Sequence, residues 1–144
     1  MSEKLIPLYC LTGFVGSGKT TALLSILKQN PRKKIGVIFT EPSIFKSHDL
    51  MSEEDISIEH LENGSLQCSC SEDAIVRALH FMQQCQPEMV FIEVAGLSDP
   101  IHIRHILEQE KTAPNSTLLT EHYEMQGIIC LVDADNFMEQ IQDV

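Results

Sequence analysis

With 144 residues, 43% of them hydrophobic and 22% charged, the chain has the size and composition of one domain with a real core, which excludes a disordered polymer. Its formal net charge of -11 disfavours nonspecific binding to nucleic acid or to an anionic membrane. No apolar run approaches the roughly 20 residues of a membrane helix, and Met1-Ser2-Glu3-Lys4 lacks the apolar segment of a secretion signal, so the expectation is a cytoplasmic protein.

The first predicted element is a buried strand over Leu8–Leu11, preceded by Pro7, which cannot donate to a central ladder. A glycine-rich stretch leads into a helix over Thr20–Gln29, with Leu23, Leu24, Ile26 and Leu27 facing the sheet and Asn30-Pro31 ending it. Ile35–Phe39 is a second buried strand. Residues 40–57 are polar and irregular, and Ile56, Ile58 and His60 alternate with polar neighbours as a half-buried strand does. Asn63-Gly64 marks a turn, and Ser71-Glu72-Asp73 caps a helix running to about Gln84. Met89–Ile92 is another buried strand. Asp99-Pro100 starts a helix across residues 100–110, Lys111–Thr120 is an exposed loop, and Gln126–Val132 is the last strand, with a final helix from near Asp135.

Strands that alternate with helices and are apolar on both faces imply an α/β fold, three layers (α-β-α) around a mostly parallel sheet. Ligands then belong at the carboxyl ends of the strands, where the glycine-rich stretch, Glu41, Glu93 and Asp133 all fall. Five cysteines, an odd number, do not make a disulfide framework. Cys10 and Cys130 lie in apolar runs as small buried residues, and Cys85 closes a helix, whereas Cys68 and Cys70 sit in a polar loop.

Gly13-Phe14-Val15-Gly16-Ser17-Gly18-Lys19-Thr20 reads G-x-x-x-x-G-K-T between a strand and a helix, which is the P-loop context. Glycines let successive N–H groups turn inward on an anion, and the helix N-terminus adds its partial positive charge. Gly13, Gly16, Ser17, Gly18, Lys19, Thr20 and Thr21 are the expected nucleotide contacts, Lys19 reaching the outer phosphates and Thr20 a Mg2+ ion. The alternative is a glycine-rich turn with no ligand. The dinucleotide pattern G-x-G-x-x-G fails, because Thr21 stands where its third glycine belongs. Glu93 closes its strand, where a carboxylate can hold Mg2+ or orient water, and Gly96 can bring a backbone N–H to the γ-phosphate. A strand-end acid that only caps a helix is the plainer reading of Glu93.

Three segments in order resemble the CobW-type G3E GTPases: Thr12 to Thr21, Glu93-Val94-Ala95-Gly96-Leu97-Ser98-Asp99-Pro100, and Val132-Asp133-Ala134. The family motifs are T-G-F-L-G-[SA]-G-K-T-T, E-[TS]-[SA]-G-L-A-D-P and V-D-A. The resemblance covers residues 1–144 but only the N-terminal part of the family's nucleotide-binding domain. It implies a GTP-binding, GTP-hydrolysing metallochaperone or insertase for zinc or cobalt, related to the nickel-insertion GTPases of hydrogenase and urease, acting on a metalloprotein client.

Departures from the family limit that expectation. The C-x-C-C metal motif after Asn-Gly becomes Asn63-Gly64-Ser65-Leu66-Gln67-Cys68-Ser69-Cys70, so only Cys68 aligns and Cys70 is a new neighbour. Two thiolates could contribute half of a tetrahedral Zn2+ or Co2+ site, with Glu41, His60 or a second chain as further ligands; the alternative is a pair of loop thiols with no bound metal. The segment N-E-F-G becomes Thr40-Glu41-Pro42-Ser43, and the region of the guanine-reading N-K-x-D is not reached, so GTP rests on resemblance alone. The sheet is expected to end in an exposed apolar edge after Gln126–Val132, which a homodimer or a companion C-terminal half would cover. His102 and His105 share a helical face as a weak candidate pair. No lysine occupies position 14 or 15, and Arg77 and Arg104 fall on exposed helix, so no arginine finger is evident and intrinsic hydrolysis is expected to be slow. The rival reading is a non-catalytic nucleotide- or partner-binding fragment. A small-molecule kinase is a weaker third, since nothing after the P-loop resembles a phosphate-clamping lid.

Overall fold

The computed structural model describes residues 4–40, 55–61, 69–96, 98–108 and 119–142, and of residues 69–71 the backbone alone. Five strands, β1 (Ile6–Thr12), β2 (Ile35–Phe39), β3 (Ile56–His60), β4 (Met89–Glu93) and β5 (Tyr123–Cys130), form one sheet in the order β3-β2-β4-β1-β5. Every pairing is parallel, so all five carboxyl ends lie along one edge. The helices are α1 (Lys19–Gln29), α2 (Ser69–Cys85), α3 (Ile101–Glu108) and α4 (Phe137–Gln142), with a 3-10 turn at Leu119–Glu121.

The period-two alternation of each strand divides its apolar side chains between two cores. On one face Leu8, Cys10, Ile38, Val90 and Ile92 pack with Ile75, Leu79 and Met82 of α2 and Ile103, Ile106 and Leu107 of α3. On the other, Leu11, Ile35, Val37, Phe39 and Phe91 pack with Leu23 and Leu27 of α1. The three-layer expectation therefore holds. A helix of 11 residues is marginal alone in water, and α1 has no side-chain cap at its N-terminus. Burying Leu23 and Leu27, at about 1.5–3 kcal/mol each, is what fixes it to the sheet.

Several boundaries differ from the sequence expectation. Pro7 lies inside β1, paired with Glu124. Ile6 donates to the His122 carbonyl and Leu11 accepts from the Val94 N–H, so alternation turns the Pro7 nitrogen toward β4, where pairing begins only at Leu8 and Val90. No ladder bond is lost there. Strand β5 begins at Tyr123, earlier than expected, because the buried Tyr123 side chain anchors it by donating its hydroxyl to the Leu79 carbonyl of α2 at 2.5 Å. Helix α2 begins at Ser69, so the Cys70 backbone is helical and not part of a polar loop. Cys130 is exposed rather than buried, because β5 is the sheet's edge and its outer half has no covering layer among the described residues. Among the described residues no helix is long and apolar enough to cross a membrane.

Candidate functional site

Strands β1 and β4 are neighbours, and beyond them the chain diverges: it leaves β1 for α1 on one face and β4 for α3 on the other. That divergence opens a crevice between their carboxyl ends, where open α/β sheets bind ligands. The register puts Leu11 and Phe39 level with Glu93, so the segments after all three strands meet at one height.

The segment after β1 is a curled loop. Gly16 and Gly18 have φ of 81° and 93°, left-handed values that cost a side chain about 1 kcal/mol or more. Helix α1 starts immediately after Gly18, and its first backbone bond runs from the Ala22 N–H to the Gly18 carbonyl at 2.9 Å. The N–H groups ahead of Ala22 thus lie beyond the reach of intrahelical acceptors and face out of the helix N-terminus. Lys19 is buried, and its ammonium folds over the loop, donating to the Gly13 carbonyl at 2.6 Å and the Phe14 carbonyl at 3.2 Å. The Ser17 Oγ is buried and has no hydrogen-bond partner among the described residues.

Thr20, one residue further, turns its hydroxyl toward β4, 3.2 and 3.3 Å from the two carboxylate oxygens of Glu93. Glu93 is itself buried. A buried carboxylate beside a hydroxyl is a set of hard oxygen donors, suited to a divalent cation such as Mg2+. Curled amides, a buried ammonium and an unpartnered hydroxyl suit a polyphosphate. The residues present therefore fit both groups.

After Glu93 the chain presses on the loop. A Cβ on Gly96 would lie 2.6 Å from the Gly13 carbonyl oxygen and 2.9 Å from the Phe14 Cα, so only glycine permits this approach. Thr40, at the end of β2, holds the same segment from the other side: its hydroxyl donates to the Glu93 carbonyl at 3.0 Å and accepts from the Ala95 N–H at 3.3 Å. Sequence reasoning missed Thr40. The signal available was a hydroxyl residue ending an apolar strand beside the predicted site.

Of the expected site residues, the structure brings together Gly13, Gly16, Ser17, Gly18, Lys19, Thr20, Glu93 and Gly96, with Thr21 in the first turn of α1. Glu41 and Cys68 lie outside the described residues, and of Cys70 only the helical backbone is described. Asp133 falls three residues beyond the end of β5. Its carboxylate accepts from the Asn136 side chain at 2.8 Å and the Asp135 N–H at 3.1 Å, and the Asn136 bond in particular holds its pKa below the usual carboxylate value. The His102 and His105 rings stand 6.3 Å apart between centroids, nearly perpendicular. His60 is exposed and stacks on Phe39. Among the described residues no group of three or more His, Cys, Asp or Glu converges as a metal site.

Comparison with known proteins agrees with this fold. A family model described as CobW/HypB/UreG, nucleotide-binding domain, matches residues 7–143. The chain is 35% identical over 139 residues to the zinc chaperone YjiA of Escherichia coli, a match covering 91% of this chain and 41% of that protein. It is 29% identical over 154 residues to zinc-regulated GTPase metalloprotein activator 1 of Dictyostelium discoideum, covering 97% of this chain and 32% of that protein. The crystal structure of Zn(II)-bound YjiA GTPase from E. coli superposes with a TM-score of 0.64 at 26% identity, over 99% of this chain and 45% of that one. The chain thus spans less than half the length of these relatives. It belongs to the CobW/HypB/UreG family, through its nucleotide-binding domain.

Proposed function

We propose that residues 1–144 are the N-terminal portion of a nucleotide-binding domain that takes GTP with Mg2+, hydrolyses it slowly, and couples it to the handling of a metal cargo. The observation that carries this reading is the meeting of Thr20 and Glu93, 73 residues apart, directly beside the buried Lys19. Amides of Gly13, Gly16, Ser17 and Gly18 and the first turn at Thr21 would cradle the phosphates. Lys19 would exchange its two carbonyl partners for phosphate oxygens. Thr20 and Glu93 would hold Mg2+, which when bound supplies charge stabilisation on the transferring phosphoryl group. Glu93 would also orient the attacking water, and Gly96 would offer its N–H to the γ-phosphate. With no arginine in evidence at the site, turnover would stay slow.

The relatives' names favour zinc over cobalt as cargo. Cys68 and Cys70 are the proposed thiolate ligands, with Glu41 as a further donor and a metalloprotein as client. A reducing, cytoplasmic setting agrees with the free thiols of Cys10, Cys85 and Cys130.

A second reading, a non-catalytic partner-binding module, is favoured by one observation. Ile128 and Ile129 of β5 and Phe137, Met138 and Ile141 of α4 are all exposed. Such an edge invites a second copy or a companion half.

Titration of the purified chain with GTP and with ATP, each with Mg2+, followed by assay of phosphate release, separates the readings. The expected result is at least about tenfold preference for GTP, equivalent to ~1.4 kcal/mol, with slow release of phosphate that Lys19→Ala abolishes. Nucleotide binding with no phosphate released would favour the non-catalytic module, and equal affinity for ATP would remove the guanine assignment.

A further inference from the structure

We propose that Thr40 is a positioning residue of this site, a buried hydroxyl that fixes the end of β4 so that the Glu93 carboxylate meets Thr20. The inference rests on the nucleotide-site reading above and adds a residue that reading does not use.

The register of β2 against β4 ends at Phe39 and Glu93. One residue later the Thr40 N–H still donates to the Glu93 carbonyl, at 3.1 Å. From there the ladder is continued by a side chain. A hydroxyl can donate and accept together. That of Thr40 does both, giving its proton to the Glu93 carbonyl at 3.0 Å and taking the Ala95 N–H at 3.3 Å. Between these two groups Val94 faces the opposite neighbour, its N–H donating to the Leu11 carbonyl of β1 at 2.8 Å. Residues 93–95 are therefore tied to β2 through Thr40 and to β1 through Leu11.

The consequence is positional. Glu93 begins this tied segment and carries the carboxylate that meets Thr20. Thr40 is fully buried, so water cannot replace its hydroxyl at no cost. Replacement by valine keeps the shape and removes both bonds, which frees the Ala95 N–H and the β4 exit. Among the described residues the Thr40 hydroxyl bonds to the Glu93 carbonyl and the Ala95 N–H, and not to the P-loop or Lys19. The effect should therefore fall on cation-dependent binding and spare the cation-independent part.

The test compares wild type, Thr40→Val and Thr40→Ser by calorimetric titration with GTP, in excess Mg2+ and in EDTA. Wild type is expected to bind more tightly with Mg2+. Thr40→Ser, which restores the hydroxyl, is expected to match it within about twofold, whereas Thr40→Val should lose about tenfold of the Mg2+ enhancement, as supporting residues around a metal do. Its affinity in EDTA should stay within about twofold of wild type. Should Thr40→Val fail to fold, Thr40→Ala, which also removes the hydroxyl, is read in the same way. A Thr40→Val protein with the full Mg2+ enhancement overturns this proposal and leaves the nucleotide site standing. Equal weakening with and without Mg2+ also overturns it, since that marks general loosening. A wild-type protein that binds no nucleotide overturns both.

Discussion

The hydroxyl of Thr20 lies 3.2 and 3.3 Å from the two carboxylate oxygens of Glu93, which joins the start of α1 to the end of β4. Glutamine keeps the shape of that side chain and removes its charge. Glu93→Gln is therefore expected to leave a protein that still unfolds cooperatively, while Mg2+-dependent phosphate release falls at least about tenfold. Parallel thermal unfolding and phosphate assays check this. A large loss of stability with activity retained would make Glu93 a structural residue only.

Gly96 and Gly36 offer a matched pair of tests. A methyl group on Gly96 would strike backbone, the Gly13 oxygen at 2.6 Å and the Phe14 Cα at 2.9 Å. On Gly36 it would meet side-chain atoms, the Met82 sulfur at 2.9 Å and the Val90 Cγ2 at 3.1 Å, which can shift. Gly96→Ala is expected to destabilise by about 1–3 kcal/mol and to weaken nucleotide binding, since the two loops must part. Gly36→Ala should cost less than about 1.5 kcal/mol and leave binding intact. Urea unfolding with GTP titration distinguishes the two.

Burial pushes the Cys10 thiol up from its ordinary 9.0 to about 12. The unfolded chain releases this proton near pH 9 and the folded chain keeps it, so stability is full below pH 9 and lost as pH rises toward 12. The slope should reach about 1.4 kcal/mol per pH unit. Tyr123, also raised by burial, adds to the loss above pH 10. Urea unfolding between pH 8 and pH 10 should show the decline in wild type and a flatter profile in Cys10→Ala. Thiol labelling at neutral pH should modify exposed Cys130 and spare Cys10.

The outer edge of the sheet predicts association. Ile129 on β5 and Ile141 on α4 are 40% and 51% exposed, with no covering layer among the described residues. A lysine on an edge strand opposes pairing with another chain. Ile129→Lys is expected to shift sedimentation from concentration-dependent association to a monomer, at a stability cost within about 0.5 kcal/mol. A wild-type protein that remains monomeric at high concentration would overturn pairing of this edge with a second copy.

Much of this site was legible before any coordinates. The run from Gly13 to Thr20 states its own geometry, because positive φ at Gly16 and Gly18 and a helix beginning at Lys19 are local properties of those residues. The parallel sheet was legible too, from strands apolar on both faces alternating with amphipathic helices. The limits of β1 and β5 were not, since what sets them is pairing and burial against other elements, as Tyr123 on Leu79 and Pro7 opposite Glu124 illustrate. Cys130 looked like a core residue because an apolar run at a sheet edge has the same composition as one at its centre.

The amino-acid order by itself determined the curled glycine loop, the layer architecture and the family. Tertiary structure decided which distant groups share the crevice: Glu93 with Thr20, Gly96 with Gly13, and Thr40 with the exit of β4. The physical reason is range. Backbone curvature and helix initiation depend on neighbours a few residues apart, whereas a hydrogen bond across 55 residues exists only once strand order and register bring β2 beside β4.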